Sequence, residues 1–253
     1  MIVEIESRSN ARVKEFIKER DESHCLEGEK LVREVLARRV RLEKLIVRAD
    51  WQANLRLGEV NAGEIWVVNA AVLAKLSRLK EPAPLIAVLG TDAAGGRLDW
   101  RREKIVIALD AVQDPANAGA IFRCASAFGV NAVALCGNSV ATTNPKFLRA
   151  AQTAFLDVRW QEFADAAKFL RQAEKHGFHV YLTSSHPGGA RATFAEVRFP
   201  CAILFGNEGG GLAGELFVRY PALAIPHQQR IESLNVAASA CIIMYEISRQ
   251  LQP

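Results

Sequence analysis

Three groups of polar residues follow apolar segments of the sequence, and their residue types could support chemistry. In the first group, Asp114, Pro115 and Asn117 precede a helix-like segment that contains Arg123. Pro115 and Asn117 are ordinary residues for the start of a helix. Arg123 has small residues around it at helical spacing, which leaves room for a guanidinium to hold an anion. The alternative is an exposed surface arginine, but the apolar flanks of this segment favour a placed one.

The second group, in the sequence FGNEGGGLAG, directly follows the apolar segment CAILF. Gly206 at that position lets the backbone approach a ligand closely. Glu208 is either a turn residue or an acceptor for N–H groups of neighbouring loops. Gly209, Gly211 and Gly214 also match the G-x-G-x-x-G pattern of dinucleotide-binding folds. Too few residues follow them to build the rest of such a fold, which argues against that interpretation.

The third group lies in IESLNVAASA, where Ser233 and Asn235 precede an apolar segment that ends near Leu251. Either residue could simply cap a helix, and this is the favoured interpretation of the stretch taken alone. The same hydroxyl and amide groups could also serve chemistry through hydrogen bonds. His227, upstream of this group, is a lone histidine, which is more often structural than a base or a ligand.

The elements that would position these groups alternate between strands and helices from residue 98 onward. KIVIALDAV, NAVALCG and CAILFG are near-continuously apolar, and helix-like segments such as PKFLRAAQTAF separate the strands. This pattern predicts an α/β fold with a parallel sheet that helices cover on both faces. Ligands of such sheets bind where the strands end, so the turns after the strands are the expected site.

Residues 1–97 mix helix-like and strand-like segments, which predicts a separate small α/β domain. SNARVKEFIKER and EGEKLVREVLARR have apolar residues at helical spacing, whereas KLIVRA and EIWVVN are strand-like. The Gly- and Ala-rich segment TDAAGGRLDW, residues 91–100, is the best linker candidate. The sequence therefore predicts a domain boundary near residue 97 and a second domain over residues 98–253.

Composition excludes several classes of protein. No apolar run is long enough to span a bilayer and the N-terminus lacks a signal-peptide pattern, so we expect a cytoplasmic protein. The five scattered cysteines, without a CxxC pair, indicate reduced core thiols rather than a zinc site or a disulfide framework.

The net charge of +4 permits an RNA partner without demanding one. Arg38, Arg39 and Arg41 are either a solvated helix end or an RNA contact.

The order and spacing of the three groups resemble the motifs of the SpoU/TrmH family of RNA ribose 2'-O-methyltransferases, within the SPOUT superfamily. The first motif is matched by Asn117, Gly119, Ile121, Arg123 and Ala125, the second by Gly206 to Leu212, and the third by Ile225-Pro226 with Glu232 to Val236. The match covers about residues 105–251. The segments SRSNARVKEFIKER and LEGEKLVREVL also resemble the family's N-terminal substrate-binding domain.

This resemblance implies a parallel α/β sheet whose C-terminal segment forms a trefoil knot, preceded by a small RNA-binding domain similar to a ribosomal protein. It also implies a homodimer through the C-terminal domain, with S-adenosylmethionine bound in the knot and the active site at the subunit interface. The matching cofactor-binding positions are Gly206, Ile225 and Leu234, with Thr183 as a further candidate, and the matching active-site residues are Asn117, Arg123, Glu208, Ser233 and Asn235.

The reaction that the resemblance implies suits these residue types. Methyl transfer is an in-line displacement that must align the ribose 2'-hydroxyl with the methyl group. Asn235 and Ser233 can orient that hydroxyl, whereas Arg123 can clamp an RNA phosphate and stabilise negative charge on the attacking oxygen. Glu208 would brace the loops and neutralise Arg123. The resemblance implies no metal and no membrane partner. Ribosomal RNA is a more favoured substrate than transfer RNA, because the N-terminal domain resembles one common in rRNA-acting members.

The sequence departs from the family pattern at three places. Ala151 and Thr153 stand where serine and glycine are common, His227 replaces the usual methionine, and Ala237 replaces a common serine. The first departure leaves open a catalytically idle RNA-binding assembly factor of the same fold. A nucleotide-dependent oxidoreductase, based on GGGLAG, is a third hypothesis.

Overall fold

The computed structural model describes residues 1–90, 97–185, 192–228 and 230–251. By their contacts the residues form an N-terminal unit, Met1–Ala94 with Ala141–Thr153, and a C-terminal unit, Gly95–Val140 with Ala154–Pro253. Most of the predicted linker, residues 91–100, lies outside the described residues. The boundary near residue 97 stays a prediction.

Five strands form a mixed sheet in the described part of the N-terminal unit. They are β1 (Ile2–Ile5), β2 (Cys25–Glu27), β3 (Leu42–Arg48), β4 (Ala62–Val68) and β5 (Leu85–Leu89), in the order β1-β4-β3-β5-β2. The strands β1, β3 and β4 run parallel, whereas β5 is antiparallel to both of its neighbours. Three helices pack on this sheet: α1 (Ala11–Glu19), α2 (Glu29–Ala37) and α3 (Ala70–Leu76). The apolar sides of α1 and α3 meet around the buried Trp66.

A segment from later in the chain belongs to the N-terminal unit. Its helix α5 (Pro145–Ala151) is capped by Asn144 and packs on β2. The Thr142 hydroxyl lies 3.1 Å from Nε2 of His24. Gln152 ends the helix because it adopts a φ of 53°, in the left-handed region. The predicted single helix PKFLRAAQTAF is therefore wrong in detail: it is two helices, and the second, α6 (Ala154–Asp157), groups with the C-terminal unit.

Six strands form one sheet in the described part of the C-terminal unit. They are β6 (Ile105–Asp110), β7 (Ala132–Cys136), β8 (Arg159–Phe163), β9 (His179–Ser184), β10 (Cys201–Phe205) and β11 (Ala222–Ala224). Their order is β11-β9-β10-β6-β7-β8, and every neighbouring pair is parallel. Every residue of β7 and β10 is buried, as expected for strands covered on both faces. The predicted parallel α/β fold is confirmed.

The helices of the C-terminal unit also include α4 (Pro115–Ala127), α7 (Ala166–Lys175), α8 (Leu216–Arg219) and α9 (Val236–Ser248). Helix α4 follows β6 and α9 follows β11, and the two helices pack against each other. Because the strands are parallel, the turns after β6, β9, β10 and β11 all lie at one edge of the sheet. None of the helices within the described ranges is long and apolar enough to cross a membrane.

Candidate active site

The carboxyl edge of the C-terminal sheet contains a cavity of about 1120 Å³. Its walls come from the end of β9, from the loop after β10, and from the segment between β11 and α9 together with the start of α9. The predicted site residues that line it are Thr183, Gly206, Glu208, Ile225, Ser233, Leu234 and Asn235. The structure thus brings residues of the second and third motifs together at the edge that the topology predicts.

The loop after β10 folds back on itself. Asn207 Oδ1 accepts hydrogen bonds from the backbone N–H groups of Gly209 and Gly210, at 3.0 and 2.5 Å. A Cβ at Gly206 would lie 2.4 Å from the carbonyl carbon of Gly211 and 2.7 Å from the backbone nitrogen of Leu212. Glycine is therefore required here by the loop's own backbone, a reason that the sequence did not indicate.

The dinucleotide pattern in this loop does not open a long helix. Gly209, Gly211 and Gly214 are followed by α8, which is a single turn of four residues. A phosphate-binding fingerprint needs a helix whose first N–H groups and dipole face the phosphates. The geometry therefore argues against the oxidoreductase hypothesis.

Asn235 is the N-cap of α9, and its amide has two separate functions. The oxygen Oδ1 accepts hydrogen bonds from the N–H groups of Ala237 and Ala238, at 2.9 and 3.2 Å. The nitrogen Nδ2 donates to Oδ1 of Asn117 at 2.9 Å. Since the cap fixes which end of the amide is oxygen, the direction of the bond to Asn117 is fixed as well.

Asn117 continues this chain of hydrogen bonds toward the loop after β10. Its Nδ2 donates to Oε1 of Glu208 at 2.6 Å, a short bond because the acceptor is a carboxylate oxygen. Each amide in the chain uses its oxygen as acceptor and its nitrogen as donor. One residue from each of the three motifs is thereby joined, although Asn117 and Asn235 are separated by 118 positions. Within the described ranges, Glu208 accordingly accepts a side-chain N–H rather than a backbone one.

Arg123 lies apart from this chain of hydrogen bonds. It is exposed on α4, in which five of the 13 residues are buried, and it is not among the residues that line the cavity. Arg123 has no hydrogen bond or ion pair to any residue that the structure describes. Within a single chain the arginine is therefore available to a phosphate, and its surroundings do not fix its position.

Several residues that line the cavity were not predicted from the sequence to belong to the site. Ser184 and Ser185 follow Thr183 at the end of β9, and His227 lines the same cavity. The signal for the serines is the hydroxyl run TSS directly after an apolar strand. The Thr183 hydroxyl itself donates to the backbone carbonyl of Leu204 at 3.1 Å, so this side chain links neighbouring strands.

Ala151 and Thr153, where the sequence departs from the family pattern, are not among the residues that line the cavity. Both residues belong to the N-terminal unit, and Ala151 is completely buried there. A serine in that position would bring a hydroxyl into an apolar environment, where it needs a hydrogen-bond partner. Alanine at position 151 therefore suits its packing and removes no group from the cavity.

The cysteines have the properties of structural thiols. Burial raises the pKa of Cys25 and of Cys201 to about 12. Burial, together with a hydrogen bond to Cys241, raises the pKa of Cys124 to about 12 as well. Because the thiolate is the nucleophilic form, these side chains are unreactive near neutral pH. In the described ranges no group of three or more His, Cys, Asp or Glu side chains could hold a metal ion.

Comparisons with known proteins bear on both units. Residues 104–245 match the SpoU rRNA Methylase family, which is more than half of the chain. Residues 11–87 match the MRM3-like substrate binding domain. These two matches cover most of the C-terminal and N-terminal units respectively.

Individual relatives agree with the family match. An uncharacterized tRNA/rRNA methyltransferase of Synechocystis sp. is 31% identical over 73% of this chain and 67% of its own length. The 23S rRNA (guanosine(2553)-2'-O)-methyltransferase RlmP of Bacillus subtilis is 27% identical over 96% of this chain and 98% of its own. The crystal structure of an AdoMet-bound rRNA methyltransferase from Sinorhizobium meliloti superimposes with a TM-score of 0.82 at 26% identity, covering 100% of this chain and 99% of that one. The chain therefore belongs to the SpoU rRNA methylase family, with the N-terminal substrate-binding domain that its motifs predicted.

Proposed function

We propose that this protein transfers a methyl group from S-adenosylmethionine to a ribose 2'-hydroxyl of ribosomal RNA, with transfer RNA as the second candidate. The observation that supports this most is the chain of hydrogen bonds from Glu208 through Asn117 to Asn235 beside the cavity. The name of the Bacillus subtilis relative, which specifies guanosine 2'-O-methylation of 23S rRNA, supports the reaction and the class of RNA.

The cavity suits S-adenosylmethionine in size and in chemistry. Small-molecule sites measure roughly 300–1,000 Å³, so a cavity of about 1120 Å³ has room for the cofactor and part of a nucleotide. Ile225 and Leu234 supply apolar surface, and Thr183 and Gly206 line the same space. The carboxylate of Glu208 suits a ligand that carries positive charge. When bound, the cofactor supplies a methyl group made electrophilic by its sulfonium. The bound AdoMet of the Sinorhizobium meliloti structure supports this choice of cofactor.

In the reaction, the side chains of the protein position the ribose 2'-hydroxyl and stabilise the negative charge that develops on its oxygen. Ser233 and Asn235 orient the ribose 2'-hydroxyl by hydrogen bonds, and Glu208 holds Asn117 in place. Arg123 holds an RNA phosphate and stabilises the negative charge that develops on the attacking oxygen. The proton of the 2'-hydroxyl passes to the RNA phosphate that Arg123 holds as the oxygen takes the methyl group.

The native assembly is proposed to be a homodimer through the C-terminal unit, with the C-terminal segment in a trefoil knot. Ile242 and Tyr245 on α9 are 40% and 45% exposed, and Phe128 lies beside Tyr245 with a ring separation of 5.7 Å. Such an exposed apolar group is typical of a surface that a second copy covers. The solved relatives support the knot, and a ribosomal RNA substrate supports a cytoplasmic location.

Methylation of RNA by the purified protein tests this proposal directly. The protein is incubated with labelled S-adenosylmethionine and with ribosomal or transfer RNA from cells that lack it, and methylated positions are mapped by alkaline-resistant bonds. We expect incorporation at a ribose in ribosomal RNA. Cofactor binding by calorimetry without incorporation into either RNA would argue against the activity. RNA binding without cofactor binding would indicate the catalytically idle assembly factor.

Substitution of Arg123 by alanine is expected to lower the methylation rate by about 10- to 100-fold, because a charge-assisted hydrogen bond contributes roughly 1.5–3 kcal/mol. Stability and S-adenosylmethionine affinity should not change, because the side chain is exposed and lies outside the cavity lining. The matched control is Arg171→Ala, which removes another exposed arginine from the same unit. Equal rates for the two variants would exclude a role for Arg123.

Replacement of Ile242 by glutamate is expected to dissociate the dimer, because a charge would be buried in an apolar interface. Sedimentation velocity would show the variant as a monomer at concentrations where the native protein is dimeric, with methylation lost in parallel. Val218 on α8 is 82% exposed, so the control variant Val218→Glu should remain dimeric. A dimer that survives Ile242→Glu would place the interface elsewhere.

A further inference from the structure

His227 is held in one orientation at the wall of the cavity. Its Nδ1 lies 2.9 Å from the backbone carbonyl oxygen of Ile225. Because a carbonyl oxygen can only accept, Nδ1 is the donor and carries the hydrogen. The neutral ring therefore has an unprotonated Nε2, which can only accept a hydrogen bond.

Nε2 of His227 has no hydrogen-bond partner in the ranges that the structure describes. The atom is also absent from the buried unpaired side-chain nitrogens and oxygens, so solvent or a ligand can reach it. Among the residues that the structure describes, the carboxylates that line the same cavity are those of Glu208 and Glu232. The described lining therefore includes two carboxylates and, in the neutral form of His227, an acceptor nitrogen whose direction the Ile225 carbonyl fixes.

We propose that Nε2 of His227 accepts a hydrogen bond from the adenosine moiety of S-adenosylmethionine, an inference that rests on the proposed function. The ammonium and sulfonium of the cofactor carry positive charge and suit Glu208 and Glu232. The adenine amino group and the ribose hydroxyls are neutral donors, which suit an acceptor without charge. Methionine, usual at this position in the family pattern, has only a weak acceptor, so the histidine adds a hydrogen-bond acceptor that methionine would lack.

Two substitutions separate this contact from the bond to Ile225. In His227→Asn, the side-chain amide can still donate to the Ile225 carbonyl but does not extend to the position of Nε2. In His227→Gln, the amide oxygen can occupy the position of Nε2, while the anchoring donor is lost. Binding of S-adenosylmethionine, S-adenosylhomocysteine and 5'-methylthioadenosine is measured by calorimetry for both variants, for His227→Met and for the native protein. Thermal unfolding confirms that each variant is folded.

We expect His227→Asn and His227→Met to bind all three ligands about five- to tenfold more weakly, as for the loss of one hydrogen bond. His227→Gln should stay within about threefold of the native protein. Weaker binding by His227→Gln and His227→Met, with near-native binding by His227→Asn, would show that the ring only anchors the turn, and would overturn the inference. Unchanged binding by all variants would also overturn the inference. An effect that spares 5'-methylthioadenosine would overturn it too, because that ligand lacks the amino-acid group but keeps the adenosine moiety. A native protein that binds none of the three ligands would contradict the proposed function itself.

Discussion

Replacement of Gly206 by alanine is expected to weaken S-adenosylmethionine binding by about 5- to 150-fold. The new Cβ would lie 2.4 and 2.5 Å from the carbonyl carbon and oxygen of Gly211, and 2.7 Å from the nitrogen of Leu212. All three are backbone atoms, so no side-chain rotation relieves the overlap and the loop has to open. Overpacking of this kind costs about 1–3 kcal/mol or more, and each 1.4 kcal/mol corresponds to roughly tenfold in affinity.

The control for this prediction comes from the same loop. At Gly214 an added Cβ would have no atom within 4 Å, so Gly214→Ala should bind the cofactor as the native protein does. Calorimetry gives the two affinities, and thermal unfolding separates a local change of the loop from global unfolding. A Gly206→Ala variant with native affinity would show that the loop moves freely, and that its closed form does not shape the cavity.

The fold of the C-terminal unit could be predicted from sequence where strands are apolar throughout. Strands β7 and β10 are buried at every residue and stand out between helices. Strand β8 was missed because its sequence, RWQEF, has no apolar run and its residues are only partly buried at the sheet edge. Its first residue, Arg159, donates to the buried carboxylate of Glu103 at 2.7 Å, a pairing across 56 positions that no local pattern indicates.

In the candidate site too, features set by neighbouring residues could be predicted from the sequence, whereas contacts between distant residues could not. The cap of α9 is readable from IESLNVAASA, because a polar residue before an apolar helix is a local signal. The bond from Asn235 to Asn117 joins positions 118 residues apart, so only the resemblance to a family placed them in one site beforehand. Gly206 was predicted for its closeness to a ligand, whereas the structure requires glycine there because the backbone of Gly211 and Leu212 leaves no space for a Cβ. The grouping of α5 with β2 could not be derived from any pattern within α5.

Asn235→Ala and Asn235→Ser are together expected to separate the structural function of this amide from its catalytic one. Alanine removes both the cap and the bond to Asn117, so it should cost about 1 kcal/mol of unfolding free energy and lower the methylation rate by about 100-fold or more. Serine keeps a capping oxygen, so stability should be close to native. It has no N–H to donate to Oδ1 of Asn117, so the rate should be as low as for alanine.

Single-turnover methylation at saturating S-adenosylmethionine gives the rates, and urea unfolding gives the stabilities. The control is Asp165→Ala. Asp165 caps α7 by accepting a hydrogen bond from the N–H of Lys168, and it is not among the residues that line the cavity. That variant should lose about as much stability as Asn235→Ala while methylating normally. If Asn235→Ser methylates at the native rate, capping is the sole function of Asn235. A slow Asn235→Ser with native stability would instead show that the donor nitrogen, which holds Asn117 against Glu208, is the group on which methyl transfer depends.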